Sequence, residues 1–288
     1  MVIVSENRIL IINKLSQMVF LVFTVSFFSC QSNKQNKAIA DTIDSQVLYE
    51  NFIEIENSGE NYKIPSPMEM FIFLNKSGAP FLVEKTHKVE KCGDYMSIKS
   101  KAINFGIYTA DLAYCSVFGD FQQTITYFNT ARQLAGSLGL NEGYGEQMAN
   151  RIDKNITSID SLLEISADSY YMTNQFLQEQ GSEGVLGLIL VGGWVEGLYL
   201  AIESVDGVDI KNPIVERIAD QQVLLESLLG YLHNNEKSDN ITSVIKELEQ
   251  LQEVFDELYF NDENTIITTN QFVNISNEVI SLRNMYID

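Results

Sequence analysis

Apolar residues recur at helical spacing along most of the chain after residue 64. The stripe is clearest between residues 239 and 260, where apolar side chains stand three or four positions apart and acidic residues fill the positions between them. Comparable stripes predict eight more helices, over 67–76, 97–117, 121–137, 141–153, 157–180, 183–205, 213–233 and from between 264 and 270 to 286. Strand-like alternation is nearly absent. The pattern therefore predicts a single all-α domain over residues 64–288, a multi-helix bundle or array of eight to nine helices.

Capping and helix-breaking residues mark several of the predicted boundaries. Ser66 is a good N-cap residue, Pro67 suits the first helical position, and Glu69 completes a capping box. Gly119-Asp120 and Gly139 are expected to end two successive helices, because glycine readily takes the left-handed conformation of a helix end.

The most unusual segment is Val185–Ile202, which has the sequence VLGLILVGGWVEGLYLAI and a single charge, Glu196. Its length approaches that of a membrane span. However, it contains four glycines besides Glu196 and is not followed by a positively charged flank. A helix that is apolar on all sides also suits the centre of a large bundle, where glycines let neighbouring helices approach closely. We predict a buried, glycine-rich central helix, with a membrane span as the alternative.

A buried Glu196 needs a partner, because an unpaired carboxylate is very costly inside a protein. Arg151 and Arg217 lie in predicted helices near apolar stripes. Asp111 is flanked by apolar residues, as Glu196 is. These four residues are therefore candidates for one buried cluster. It has two interpretations: an ion network that fixes how the helices pack, or a polar pocket that binds a small ligand above Trp194.

The amino terminus has the pattern of a secretory signal. Arg8 and Lys14 precede an apolar run from Met18 to Phe28. A positively charged region, an apolar run of about 7–15 residues and a small residue before the cleavage point define such a signal. The run is also too short to span about 30 Å of hydrocarbon as a helix. Residues 1–29 are therefore expected to be removed.

The end of this segment resembles the lipobox of bacterial lipoproteins, in which a small residue precedes an invariant cysteine that becomes acylated. Phe27-Phe28-Ser29-Cys30 carries the resemblance. It implies lipidation of Cys30, and it favours the outer membrane because Gln31 is not the Asp that often retains a lipoprotein in the inner membrane. We expect residues 30–63 to be the lipidated cysteine with a polar tether and lead-in, in which Val47–Ile55 has the pattern of a short helix.

Two further resemblances concern the helical part. A single hairpin resembles in part a tetratricopeptide repeat, but the match is not repeated 34 residues later; it rests on Tyr108, Gly119-Asp120-Phe121, Tyr127-Phe128 and Ala131. As a whole, the domain resembles all-helical lipoproteins of Gram-negative bacteria, and this likeness implies no particular activity. The residues that carry it are Ile64–Pro67, Ala102–Tyr108, Ala110–Leu112 and Gly192–Gly197.

The charge excludes some partners. The chain has 39 acidic and 19 basic residues and a net charge of −20. Removal of residues 1–29 takes away one net positive charge (Glu6, Arg8 and Lys14), which leaves the mature chain at −21. Nucleic acids are excluded as partners, because phosphate contacts need clustered Lys and Arg. The acids are densest over 239–263, where they lack the spacing of a calcium-binding loop.

The remaining cysteines and the histidines offer little metal chemistry. Cys92 and Cys115 have two interpretations: a disulfide, which an oxidising compartment would permit, or two buried idle thiols. His87 lies among lysines, so we expect it at the surface, and His233 ends a predicted helix, where a cation suits the helix dipole. We expect no metal site and no cofactor.

No catalytic motif stands out in the sequence, whether a glycine-rich phosphate loop, a zinc-protease helix or a serine triad. The first hypothesis is a non-catalytic binding or scaffold protein of the cell envelope. It would be anchored in the outer membrane, on the periplasmic or the outer face, with an envelope protein as its partner. The second is a small-ligand receptor or enzyme that uses the acid and arginine cluster.

Overall fold

The structure is a computed structural model that describes residues 52–288, except for 58–59, 66, 141–143, 156–157, 208 and 236–238. All described residues belong to one unit, Ser45–Asp288. The predicted signal, the lipobox and the beginning of the tether lie outside the described residues, as does the predicted cap Ser66.

A two-stranded hairpin is followed by helices to the end of the chain. The strands are β1 (Phe52–Asn57) and β2 (Glu60–Pro65). The described helices are α1 (Pro67–Lys76), α2 (Ile98–Phe118), α3 (Phe121–Leu138), α4 (Glu146–Asn155), α5 (Ile159–Glu179), α6 (Glu183–Glu203), α7 (Pro213–Ala219), α8 (Gln221–Asn234), α9 (Asp239–Asp256) and α10 (Thr269–Ile287). Short 3₁₀ segments lie at Val83–Lys85, Val89–Gly93 and Glu257–Phe260. The predicted all-α class is confirmed.

The hairpin replaces the short helix predicted over Val47–Ile55, at least in the described part of that segment. Its strands pair antiparallel, with Phe52 opposite Pro65. The sequences FIEIEN and ENYKIP alternate with the two-residue period of a strand, a signal too short to stand out in a polar stretch. Tyr62 is buried, and its ring packs edge-on against Tyr231 of α8. The hairpin therefore covers part of the helical core.

Helices α2 and α6 form the centre of the fold. Every residue from Ala102 to Val117 in α2 and from Leu186 to Ile202 in α6 is buried. By length and composition α6 is able to cross a membrane, but 94% of its most apolar stretch of 18 residues is buried inside the protein, as in the core helix of a soluble protein. The predicted buried, glycine-rich central helix is confirmed.

Glycine allows the backbones of α2 and α6 to touch. A Cβ atom on Gly106 would overlap the carbonyl oxygen of Ile189, and one on Gly192 would overlap the carbonyl oxygen of Ile103. Both obstacles are main-chain atoms of a helix and cannot swing aside. The packing gained by this approach compensates for the roughly 1 kcal/mol that each glycine costs in a helix relative to alanine.

Helix ends agree with the sequence in two places and differ in a third. Gly119 and Gly139 end α2 and α3 in the left-handed conformation, with φ of 76° and 75°. The single helix predicted over 213–233 is instead two helices, since α7 stops before Asp220 and α8 begins at Gln221. The apolar stripe continues on both sides of this break, so its period does not reveal the change.

Gly192→Ala is expected to destabilise the protein by about 3 kcal/mol or more, because the new Cβ must push α2 and α6 apart. Gly136→Ala is the matched control. This glycine lies within α3, and a Cβ there meets nothing within 4 Å, so better helix propensity should stabilise the fold by up to about 1 kcal/mol. Urea unfolding of the purified chain measures both. Equal effects of the two substitutions would contradict the backbone contact.

Candidate functional site

A buried ion pair joins the last helix to the central helix. Arg283 of α10 donates to both carboxylate oxygens of Glu196 in α6, with Nε–Oε2 and Nη2–Oε1 distances of 2.9 and 3.0 Å. The guanidinium lies over the ring of Tyr199, 4.3 Å from its centroid, and donates to the carbonyl oxygen of Lys85 at 3.4 Å. Two parallel bonds between a guanidinium and a carboxylate make this pair both strong and directional.

Asp111 of α2 completes the cluster beside Glu196. Its Oδ2 accepts a hydrogen bond from the backbone N–H of His87 at 3.0 Å. Burial raises the pKa of Asp111 well above its usual range, and the adjacent Glu196 raises it further while Arg283 opposes the shift. The neutral, protonated form of Asp111 is thereby favoured beside the Glu196–Arg283 pair. Its Oδ1 is buried and has no hydrogen-bond partner among the described residues.

Neither carboxyl group of the cluster reaches solvent. Asp111 and Glu196 are both 0% exposed. Since neither residue has surface that water can touch, no space large enough for a ligand adjoins their carboxyl groups. The cluster therefore fits an ion network that fixes how α2, α6 and α10 pack.

The loop between α1 and α2 is held over the cluster by His87, which is buried. Its ring stacks on Tyr108 with centroids 4.8 Å apart and shares a 2.5 Å hydrogen bond with the hydroxyl of Tyr95. Burial lowers the pKa of His87 to about 3, and the positive charges of Arg283 and Lys91 lower it as well. The prediction of a surface histidine was wrong, because the lysines around it face outward while the imidazole faces inward.

Arg151 and Arg217, the predicted partners of Glu196, lie elsewhere. Arg151 of α4 pairs with Asp168 of α5, with an Nη1–Oδ2 distance of 2.8 Å. Arg217 of α7 pairs with Glu69 of α1. The prediction was wrong because both arginines keep part of their side chain in solvent, whereas Glu196 lies at the centre of the bundle.

Arg283 was not among the predicted cluster residues, although the sequence carries a signal for it. It is the only Lys or Arg in α10 and lies on the buried stripe of that helix. The stripe consists of Phe272, Ile275, Val279, Leu282, Arg283 and Tyr286. A single base among apolar positions indicates a buried acid as its partner.

Trp194 lies on a different face of α6 from Glu196, because residues two positions apart on a helix do not face the same way. Its Nε1 donates to Oε1 of Gln221 at 3.0 Å. A cavity of about 20 Å³ lies between Trp194, Glu69 and Arg217, which has room for about one water molecule. Trp194 and Arg217 therefore share a small pocket that is separate from the buried carboxyl groups.

The two cysteines are free and buried, which agrees with their interpretation as idle thiols and not with a disulfide. Burial raises the pKa of both Cys92 and Cys115. Across the described ranges, no group of three or more His, Cys, Asp or Glu side chains is placed to hold a metal ion. His233 lies at the half-exposed end of α8, with Nε2 3.3 Å from Oε1 of Glu249.

Known proteins do not assign a role to these residues. No family model, no curated protein and no solved structure matches the chain. No substrate atom reaches the carboxyl groups of Asp111 and Glu196 unless α2, α6 and α10 separate.

Glu196→Gln is expected to lower the free energy of unfolding by about 3–5 kcal/mol, because it leaves the Arg283 guanidinium buried without a counter-charge. Asp111→Asn is the matched control. Its amide has nearly the same shape as the carboxyl group and, being neutral, takes up no proton on folding. Because the pKa of Asp111 is raised in the folded protein, its contribution to wild-type stability decreases as the pH rises above about 4.

The Asn variant should therefore match or exceed the wild type at pH 7, and its advantage should shrink toward pH 4. Denaturant unfolding at both pH values measures this. If Glu196→Gln were as stable as Asp111→Asn, the ion pair would not have the role that its geometry indicates.

Acid is expected to destabilise the protein through His87. Since the pKa of His87 is lowered to about 3, below about pH 6.5 the unfolded chain takes up a proton that the folded chain accepts only near pH 3. This group alone should remove up to about 5 kcal/mol of stability between pH 7 and pH 3. His87→Gln does not titrate, so its stability should fall less over the same range. Parallel pH profiles in urea unfolding would contradict a buried neutral imidazole.

Proposed function

We propose that the chain is a lipid-anchored protein of the bacterial cell envelope that binds a partner protein and does not catalyse a reaction. The observation that carries the non-catalytic part is the complete enclosure of Asp111 and Glu196. An acid or base that acts in catalysis must come within hydrogen-bonding reach of a substrate. These carboxyl groups instead hold helices together, which leaves function to the surface.

The anchor is argued from the sequence. The apolar run Met18–Phe28 and the pair Ser29-Cys30 resemble a lipoprotein signal, in which the cysteine thiol takes a diacylglycerol. Each buried CH₂ of an acyl chain contributes about 0.8 kcal/mol, so several chains hold a protein stably at the membrane. Gln31 favours the outer membrane, and either of its faces is compatible with the sequence.

The charge of the domain supports this arrangement. At about −21 the mature chain remains soluble beside a membrane and is repelled by anionic lipid. Membrane contact then comes from the acyl chains, while the surface of the domain stays available to proteins.

A small-ligand receptor or enzyme would need an open pocket at the acid and arginine cluster. The pocket beside Trp194 has room for about one water molecule, and it is separate from Asp111 and Glu196. The geometry therefore argues against a ligand site at the acid and arginine cluster.

Cells that express the wild-type chain are expected to incorporate radiolabelled palmitate into it, and Cys30→Ala is expected to lose the label entirely. The reason is that Cys30 is the residue placed to receive the acyl chains. Cys92→Ala is the matched control and should keep the label, because that thiol is buried in the folded domain. Label on Cys30→Ala, or none on the wild type, would overturn the anchor.

Affinity capture from membranes tests the binding part of the proposal with the same variants. A partner should co-purify with both the wild type and Cys92→Ala. Failure to recover any partner across salt and detergent conditions would count against a binding protein.

A further inference from the structure

Two aromatic side chains are exposed where α9 ends. Tyr259 and Phe260 belong to the 3₁₀ segment Glu257–Phe260 and are 63% and 88% exposed. Val223 of α8 and Ile266 of the following loop are exposed as well. Large apolar residues are usually withdrawn from water, and exposed aromatic groups are enriched at protein contact sites.

Hydrogen bonds join the elements that carry these residues. Val223 stands between Gln222, whose amide donates to Asp256, and Glu226, which accepts from the Tyr259 hydroxyl at 2.5 Å. The start of α8 therefore lies against the end of α9. We call this set of exposed side chains the aromatic patch: Val223, Tyr259, Phe260 and Ile266.

Hydrogen bonds within the loop and to α10 hold the patch in place. The amide of Asn261 donates to the carbonyl oxygen of Ile266 at 3.1 Å. Gln271 of α10 donates to the carbonyl oxygen of Glu257 and to Oδ1 of Asn261, both at 2.9 Å. The loop that carries the patch is thus fastened to α10. A surface ordered before binding loses less conformational entropy when a partner docks.

Several acidic side chains are neighbours of the patch. Asp256 and Glu226 bond to residues at its edge, and Glu257 precedes Tyr259 in the same turn. Asp262 and Glu263 are exposed in the loop that leads to Ile266. No Lys or Arg occurs between residues 247 and 282. The exposed apolar side chains of the patch thus have acidic neighbours, here called the acidic rim: Glu226, Asp256, Glu257, Asp262 and Glu263.

We infer that the aromatic patch docks a basic segment of the partner protein, an inference that rests on the proposed function. Apolar side chains of that segment would pack on Tyr259 and Phe260. Its Lys or Arg side chains would pair with the acidic rim and lie over the aromatic rings. Such a site gains its specificity from the rim and its affinity from the aromatic centre.

Charge argues against the other occupants of an apolar surface. A second copy of this chain would bring the same acidic rim against itself, with a net charge of about −21 on each molecule. An anionic bilayer would be repelled for the same reason. A basic protein segment is the occupant that the rim attracts.

The test uses the full chain in zwitterionic nanodiscs and two fluorescein-labelled peptides of about twelve residues, one of alternating Arg and Leu and one of alternating Glu and Leu. Fluorescence anisotropy measures their dissociation constants. We expect the Arg peptide to bind and the Glu peptide not to bind. The double variant Tyr259→Ser/Phe260→Ser keeps the net charge and should weaken binding at least about tenfold. Met96→Ser is the matched control, since Met96 is 82% exposed on the segment before α2, and it should bind as the wild type does.

Equal affinity of the wild type and the double variant would overturn the inference, because binding would then depend on charge alone. Self-association or vesicle binding that the double variant abolishes would overturn it in favour of a second copy or a bilayer. Thermal unfolding of each variant checks that the exposed substitutions leave the fold intact. If no Arg peptide binds but a partner still co-purifies from membranes, the patch is wrong and the proposed function stands.

Discussion

The contact between the backbones of α2 and α6 is the constraint on which the rest of the fold depends. Gly106 and Gly192 remove the side chains that would otherwise hold the helices apart. The close approach lets each helix bury residues on nearly every face. It also brings Asp111 and Glu196 together in a place that water does not reach. The position of the charged groups in the core therefore depends on the absence of a side chain at these two glycines.

Two carboxyl groups at such a site need both a proton and a cation. Burial raises the pKa of Asp111 and so favours its neutral form, and Arg283 supplies the cation from the end of the chain. The core is thus complete only when α10 has docked, which couples residues that lie 87 positions apart in sequence. A buried ion pair of this kind adds little net stability, but removing one partner is costly, so it favours one packing arrangement over others.

The sequence predicts the helices and the central position of α6 because burial leaves a periodic trace. It also points to Asp111 and Glu196, since charged residues stand out within apolar runs. It does not identify Arg283 among several arginines near apolar stripes, because the partner is chosen by how distant helices pack. The same limit applies to His87, whose neighbours in sequence are lysines that face outward. The break at Asp220 is missed because the apolar period continues across it.

The enclosure of the core chemistry has a consequence for where function resides. Because Asp111, Glu196 and Arg283 are enclosed, the proposed recognition of a partner falls to the surface of the domain. Tyr259 and Phe260 are exposed although aromatic residues are usually buried. Gln271 holds the segment that carries them in a fixed position. An exposed apolar surface lowers solubility, and the acidic side chains near it offset this effect by repelling other copies of the same chain. In the proposed function, the acidic charge that disfavours self-association would also select a basic partner.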